Sequence, residues 1–284
     1  MSGNLLEVER LTKRFAIGGL FGRGRFNAVD DVSFKVDAGQ PQILAIIGES
    51  GSGKTTLARM ILNTLAPTSG AIRFRGQDLL GVRGRKRRLD FMREVQPILQ
   101  NPYEAFNPLK RVDRYLYASA TRLAGAKSQK ARDEAVNDAL QKVGLSLTEV
   151  KGRFPHELSG GQLQRTAIAR ALISSPALIV ADEPVSMVDA SLRMSIVNLF
   201  GRLRDELRVS ILYITHDLAT AYYVSDRVII IQKGKVVETG PAREVLIHPQ
   251  HPYSVLLKES VLSPDDVGQG AWEGERPRPP SQTA

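Results

Sequence analysis

Apolar and polar positions along this chain follow two periods, one for strands and one for helices. Residues 5–11 and 32–36 read as strands. In the second, Val32, Phe34 and Val36 face one way while Ser33 and Lys35 face the other. The stretch between them, with Gly18, Gly19, Gly22 and Gly24, reads as a mobile connection. The uninterrupted apolar run Ile43–Ile47 predicts a buried strand. A glycine loop follows, then a helix over 54–65 that Pro67 and Gly70 stop, then another strand at 71–74.

The pattern changes between about Asn101 and Glu157. Strand signals vanish, and Ala131, Ala135, Ala139, Leu140 and Val143 recur at helical spacing. This predicts a helical lobe inserted into an α/β core. The core resumes with a helix from Gly161, a strand at Leu178–Asp182, a helix near 190–207 and a strand at 211–215. A hairpin over 227–238 turns at Lys233-Gly234. Strands alternating with helices imply a mainly parallel sheet. The expected organisation is one α/β unit over residues 1–262, with the lobe at about 101–157. The Pro-, Gly- and polar-rich tail over 263–284 is expected to be disordered. No internal repeat is visible.

Composition narrows the class. Of 284 residues, 42% are hydrophobic and 24% charged, the balance of a globular protein with ample core. With no cysteine, disulfides, thiolate zinc sites and cysteine-ligated iron–sulfur clusters are excluded, and a reducing compartment fits. The first ten residues, MSGNLLEVER, lack the apolar core of a signal peptide. The longest apolar runs fall far short of the about 20 residues needed to cross a bilayer. Any membrane role is therefore expected to come through a partner. The net charge of +9 suits a polyanion such as a nucleotide, anionic headgroups or nucleic acid. Much of it lies in residues 83–93, with Arg83, Arg85, Lys86, Arg87, Arg88 and Arg93. A solvated face and a membrane-facing or nucleic-acid patch both fit that stretch.

Gly48-Glu49-Ser50-Gly51-Ser52-Gly53-Lys54-Thr55 fits G-x-x-x-x-G-K-[ST], between a predicted strand and a predicted helix. Glycines let the backbone curl so that several N–H groups converge on phosphate oxygens. The helix start adds its positive dipole end. Lys54 supplies charge for the terminal phosphates, and Thr55 offers a hydroxyl to Mg²⁺.

The apolar strand Leu178–Asp182 ends in two carboxylates, Asp182 and Glu183. Ligands of parallel α/β sheets sit at the carboxyl ends of strands, which would set both beside the phosphate loop. Asp182 is assigned to the metal and Glu183 to the attacking water, as its base. A further strand ends at Thr215-His216-Asp217. His216 could reach the terminal phosphate and the base, or simply cap a helix.

Leu158-Ser159-Gly160-Gly161-Gln162 precedes another helix and is a second candidate anion site, with a Ser hydroxyl and bare amides. A helical lobe would hold it well away from the first. A head-to-tail dimer, each chain's Ser159 to Gln162 segment closing the other's site, is the economical arrangement.

Together these residues resemble the ATP-binding subunits of ABC transporters, over about residues 5–262. GESGSGKTT is similar to the family's Walker A, which brings in Thr56; LIVADEP is similar to Walker B, LSGGQLQR to the signature and ITHD to the switch histidine. The signature discriminates, since Walker motifs occur in many P-loop ATPases. The resemblance implies a Q-loop role for Gln100, with Mg²⁺ and the terminal phosphate in reach. It implies a D-loop role for Asp189 and adenine stacking for Phe15. QNPYEAFNP, FPHELSGGQ and HPYSVLL are similar to the oligopeptide/dipeptide importer branch, some of whose relatives carry oligosaccharides. Two departures stand out. The cysteine cluster that often ends that branch is missing, and the usual S-A-L-D run reads Ser186-Met187-Val188-Asp189.

The expected fold is thus an α/β P-loop ABC ATPase core with an antiparallel β subdomain and an inserted helical subdomain. The implied function is hydrolysis of ATP, with Mg²⁺, to power import of oligopeptides, dipeptides or oligosaccharides. The implied partners are a second ATP-binding subunit, two transmembrane permease subunits and, indirectly, an extracytoplasmic substrate-binding protein. The implied place is the cytoplasmic face of the inner membrane, held peripherally. Tyr103 and Phe106, just after Gln100, are expected either to line a groove for a membrane-subunit helix or to pack the lobe. The main alternative is a non-transport ABC-type ATPase acting on nucleic acid or ribosomes. Against it, residues 101–157 hold no sustained heptads, only one set of motifs is present, and no specific nucleic acid is expected. A metabolic kinase lacks an identifiable acceptor pocket.

Overall fold

Long stretches of alternating side chains at the N-terminus pair into an antiparallel sheet in the computed structural model, which describes residues 3–17, 24–82 and 84–261. Strands β1 (Asn4–Ile17) and β2 (Gly24–Asp37) run antiparallel, with Phe15 opposite Phe26. Both exceed the lengths read from sequence. Bulged positions such as Arg10 and Asp31, each at positive φ, break the alternation without ending the strand. Gly18, Gly19 and Gly22 lie outside the described residues, as does the tail over 263–284.

β3 (Ile43–Ile47) is buried at all five positions, as a parallel strand covered on both faces must be. Helix α1 (Lys54–Ile61) stops short of the expected 54–65 because Asn63 turns into the left-handed region, φ 53°. β4 (Ser69–Phe74) and β5 (Gln77–Asp78) complete a four-stranded antiparallel sheet in the order β2-β1-β4-β5. The basic stretch becomes α2 (Arg85–Glu94), on which Arg85, Lys86, Arg87 and Arg88 are exposed. Arg83 lies outside the described residues. β6 (Val95–Ile98), unassigned from sequence, forms the edge of the main sheet, a position that tolerates its Pro97.

Next come a 3₁₀ turn at Pro102–Ala105, then α3 (Asp113–Arg122), α4 (Gln129–Lys142) and α5 (Leu147–Val150). The Ser128 hydroxyl caps α4 by accepting the Ala131 N–H at 3.1 Å. A second 3₁₀ turn, Pro155–Glu157, leads into α6 (Gly160–Leu172), which packs on α4 and α3 and also on β6. The chain then alternates β7 (Leu178–Asp182), α7 (Ala190–Asp205), β8 (Ser210–Thr215), α8 (Leu218–Val224) and β9 (Arg227–Gln232). β10 (Lys235–Pro241) returns antiparallel to β9 through Lys233 (φ 48°) and Gly234 (φ 82°), the two positive angles a tight hairpin requires. The chain continues through α9 (Ala242–Ile247) and α10 (Pro252–Val261).

The main sheet has the order β10-β9-β3-β8-β7-β6, parallel except for β10. Its apolar side chains separate into three clusters. One joins β1, β2, β4 and α1 to one face through Leu44, Ile46, Val180 and Leu212. A second joins the lobe, α6 and α7 to the sheet through Ile98, Ile179 and Tyr213. The third packs α8, α9 and α10 on Ala45, Ile47, Val228 and Ile230. Each fully buried Ile or Leu contributes roughly 1.5–3 kcal/mol relative to exposure. Among the described residues no helix is long and apolar enough to cross a membrane.

Candidate active site

The carboxyl ends of β3, β7 and β8 converge on one cleft of about 690 Å³, the size range of small-molecule sites. Its floor is the loop from β3 to α1: Gly48, Glu49, Ser50, Gly51, Gly53, Lys54, Thr55 and Thr56 all line it. Glycine is required here by space as well as by torsion. At Gly53, φ 106°, a Cβ would stand 2.0 Å from the Ala28 carbonyl oxygen; at Gly48 it would stand 2.2 Å from that of Ile231. Ser52 is buried, and its carbonyl accepts the Gly234 N–H at 2.9 Å, so the β9–β10 turn braces the loop.

Lys54 is itself buried, and its ammonium donates to the carbonyls of Gly48 (2.6 Å) and Glu49 (2.7 Å). Burial pulls its pKa below the usual lysine value, against the opposing charges of Glu183, Asp182 and Glu49.

Asp182 ends β7 beside this lysine. Burial raises its pKa; the Thr55 hydroxyl donating to its carboxylate lowers it, and the neighbouring Glu183 raises it further. Its Oδ1 is buried with no hydrogen-bond partner. An orphaned carboxylate oxygen beside a threonine hydroxyl is an all-oxygen donor set that suits Mg²⁺. Among the described residues no cluster of three or more His, Asp or Glu side chains is placed to hold a metal. Mg²⁺ commonly takes one or two carboxylates and completes its shell with phosphate oxygens and water.

Glu183 follows in the left-handed region, φ 45°, a strained conformation for a residue with a side chain. Its N–H donates to the Ile214 carbonyl at 2.9 Å, so β8 holds the kink in place. The kink turns its carboxylate between two partners. The Gln100 amide donates to Oε2 at 3.0 Å, and His216 Nδ1 lies 3.0 Å from Oε1. Gln100, Glu183 and His216 all line the cleft.

The far wall is aromatic. Phe15 stacks on Phe26 with centroids 5.8 Å apart and an interplanar angle of 29°. Phe26, Ala28, Leu257 and Ser260 line the cleft without having been singled out from sequence. A hairpin register pairing Phe26 with Phe15 is the signal that could have found the first of these.

Ser159, Gly160, Gly161, Gln162 and Asp189 do not line this cleft. Ser159 and Gln162 form a reciprocal cap: the Ser hydroxyl accepts the Gln162 N–H at 3.2 Å and the Gln Oε1 accepts the Ser159 N–H at 3.1 Å. The hydroxyl proton of Ser159 stays available to another acceptor. Gly161 packs against Leu192, which a Cβ would meet at 2.8 Å. One turn into α6, the fully buried Gln164 donates to the Pro184 carbonyl at 2.7 Å, tying this helix to the segment after Glu183. Asp189 is exposed at the N-terminus of α7, its carboxylate making no capping bond.

The two expectations for the segment after Gln100 divide between its aromatics. Phe106 is 1% exposed, edge-on to Tyr115 (5.4 Å) and under the Arg170 guanidinium (5.5 Å). It packs the lobe, because the 3₁₀ turn before it directs it inward; Tyr103 and Glu104 stay exposed.

The family model described as ABC transporter matches residues 29–186. The chain is 40% identical to the oligopeptide transport ATP-binding protein OppF of Bacillus subtilis, over 93% of this chain and 85% of that protein. It is 37% identical to the di/tripeptide transport ATP-binding protein DppF of Pseudomonas aeruginosa, over 97% and 85%. Among solved structures, the dimeric ATP-binding cassette MJ0796 bound to ADP and Pi superimposes with a TM-score of 0.73. It is 25% identical, with 84% of this chain and 99% of that one covered.

Proposed function

This chain belongs to the ABC transporter family, and on that premise we propose that it is the ATP-hydrolysing subunit of a peptide importer. The observation that carries the reading is the Glu183 carboxylate, held by Gln100 and His216 at the mouth of the loop that contains Lys54. ATP lies with its phosphates on the amides of residues 48–56, its charge met by Lys54 and the α1 dipole. Phe15, backed by Phe26, takes the adenine face. Asp182, Thr55 and Gln100 would hold Mg²⁺, which would supply positive charge against the phosphates. Glu183 orients the attacking water and accepts its proton; His216 fixes the carboxylate and reaches the γ-phosphate.

Ser159, Gly160, Gly161, Gln162 and Asp189 act in a second subunit's site. That none of them lines this chain's own cleft supports that reading, as does a structural relative described as a dimer. ATP binding closes such a dimer and hydrolysis reopens it, driving two permease subunits that receive cargo from an extracytoplasmic binding protein. The subunit sits peripherally on the cytoplasmic face. Cargo is read as oligopeptide or dipeptide, since relatives over nearly the whole chain are described as peptide transport proteins. The test is ATPase activity in proteoliposomes containing the permease and binding protein. Peptides should stimulate it and oligosaccharides should not; the reverse preference would overturn the cargo assignment.

A further inference from the structure

Tyr253, near the start of α10, lies 204 positions from Glu49, and its hydroxyl accepts the Glu49 N–H at 3.0 Å. The side chain is not a passing contact, being only 5% exposed. The Glu49 N–H and the Gly48 C=O belong to one peptide unit, which is planar. Lys54 donates to that same carbonyl at 2.6 Å. One peptide plane of the phosphate loop is therefore gripped at both edges, by α10 on the amide side and by Lys54 on the carbonyl side.

The helix that delivers Tyr253 is itself anchored. The Glu238 carboxylate accepts the N–H groups of Gln250 (2.8 Å) and His251 (3.2 Å), and Lys258 donates to the Ile247 carbonyl at 2.6 Å. Leu257 and Ser260 from the same helix line the cleft. The last described helix is thus a wall of the site as well as a brace beneath it.

We propose that Tyr253 is a positioning residue for nucleotide: by fixing the Gly48–Glu49 peptide plane it fixes the direction from which Lys54 meets the phosphates. This rests on the reading of the cleft as the ATP site. A peptide freed to rotate takes its carbonyl, and with it the Lys54 ammonium, off line for bound ATP in ground and transition states alike. That is the signature of lost uniform binding, a raised KM at unchanged kcat.

The test is Tyr253→Phe in the full-length chain, which deletes one oxygen from a buried ring. Its KM and Kd for ATP should rise about fivefold, the scale of one hydrogen bond, with kcat unchanged. Amide hydrogen exchange at Glu49 should accelerate while exchange within β3 stays slow. Unchanged exchange at Glu49 would dismiss the contact. Accelerated exchange with unaltered ATP affinity would leave Tyr253 a purely structural brace and overturn the inference. Lys54→Ala run in parallel separates the two claims. Wild-type ATP binding by Lys54→Ala overturns the site assignment itself. Weakened binding there, with Tyr253→Phe unaffected, overturns this inference alone.

Discussion

Gln100 and Glu183 lie 83 positions apart in the chain, yet the amide of the first donates to the carboxylate of the second over 3.0 Å. Gln100 stands where β6 hands the chain to the helical lobe, and Glu183 stands at the end of β7, so the bond ties the lobe's root to the proposed base. Glu183→Gln keeps the size of the side chain but removes its capacity to take a proton. Its ATPase rate should fall by about 10²–10⁴-fold with ATP affinity retained, and an ATP-bound dimer should accumulate in size-exclusion chromatography. Near-wild-type turnover would remove Glu183 from the role of base.

The proposed composite sites allow a complementation experiment. Lys54→Ala damages the phosphate-loop half of a site, and Ser159→Arg damages the half contributed by the other subunit. Each alone should have little ATPase activity. Mixed, they should form heterodimers with one intact site and recover activity above either parent. Lack of recovery despite demonstrated subunit exchange would count against a shared site.

Asp182 makes a prediction about pH. Its pKa is raised in the folded chain, mainly by burial, so the folded state holds the proton to higher pH than the unfolded one. Stability of the nucleotide-free, metal-free protein therefore falls as pH rises from the unfolded value through the folded one, and the penalty is in full force above that. Asp182→Asn should flatten this dependence and raise Tm at neutral pH, while impairing Mg²⁺-dependent hydrolysis. A lower Tm for Asp182→Asn than for wild type at pH 7, measured without nucleotide or metal, would refute the burial penalty assigned to this carboxylate.

The segment after Gln100 should divide by burial. Phe106→Ala opens a cavity between Tyr115 and Arg170 and should cost about 3–5 kcal/mol, seen in denaturant melts. Tyr103→Ala and Glu104→Ala, at exposed positions, should stay within about 0.5 kcal/mol of wild type. These two, rather than Phe106, are the substitutions with which to probe coupling to a permease. Loss of cargo-stimulated ATPase in proteoliposomes with basal rate intact is expected; normal stimulation in both would exclude this surface.

Much of the fold was legible because its buried parallel strands leave a one-dimensional trace. The run Ile43–Ile47 and the run Leu178–Asp182 coincide with the observed strands, since a strand covered on both faces has no polar alternation to blur its ends. The end of α1 was not legible. Leu62 and Leu65 continue the helical pattern, and only the left-handed Asn63 stops it. β6 escaped notice because its four residues include Pro97, tolerated here at a sheet edge that tertiary structure supplies. In the site, the phosphate loop announces itself through local spacing. The grip of Tyr253 on Glu49 does not, because nothing near either residue encodes a partner 204 positions away. Phe106 stayed open between groove and lobe for a related reason: an aromatic in a polar, proline-flanked run can face either way until its neighbours on α3 and α6 are known.

β3 supplies five side chains to three separate clusters: Ile43 to that of the lobe, Leu44 and Ile46 to that of the antiparallel sheet, Ala45 and Ile47 to that of the C-terminal helices. It also runs without interruption into Gly48. Its neighbours β7, β8 and β9 each reach two of these clusters, whereas β3 reaches all three, a keel with the phosphate loop at its prow. Interiors packed at crystal-like density have no slack in which to absorb a displacement. A tilt of any one cluster must reach the loop as a movement of its root, and a nucleotide that locks the loop stiffens all three at once.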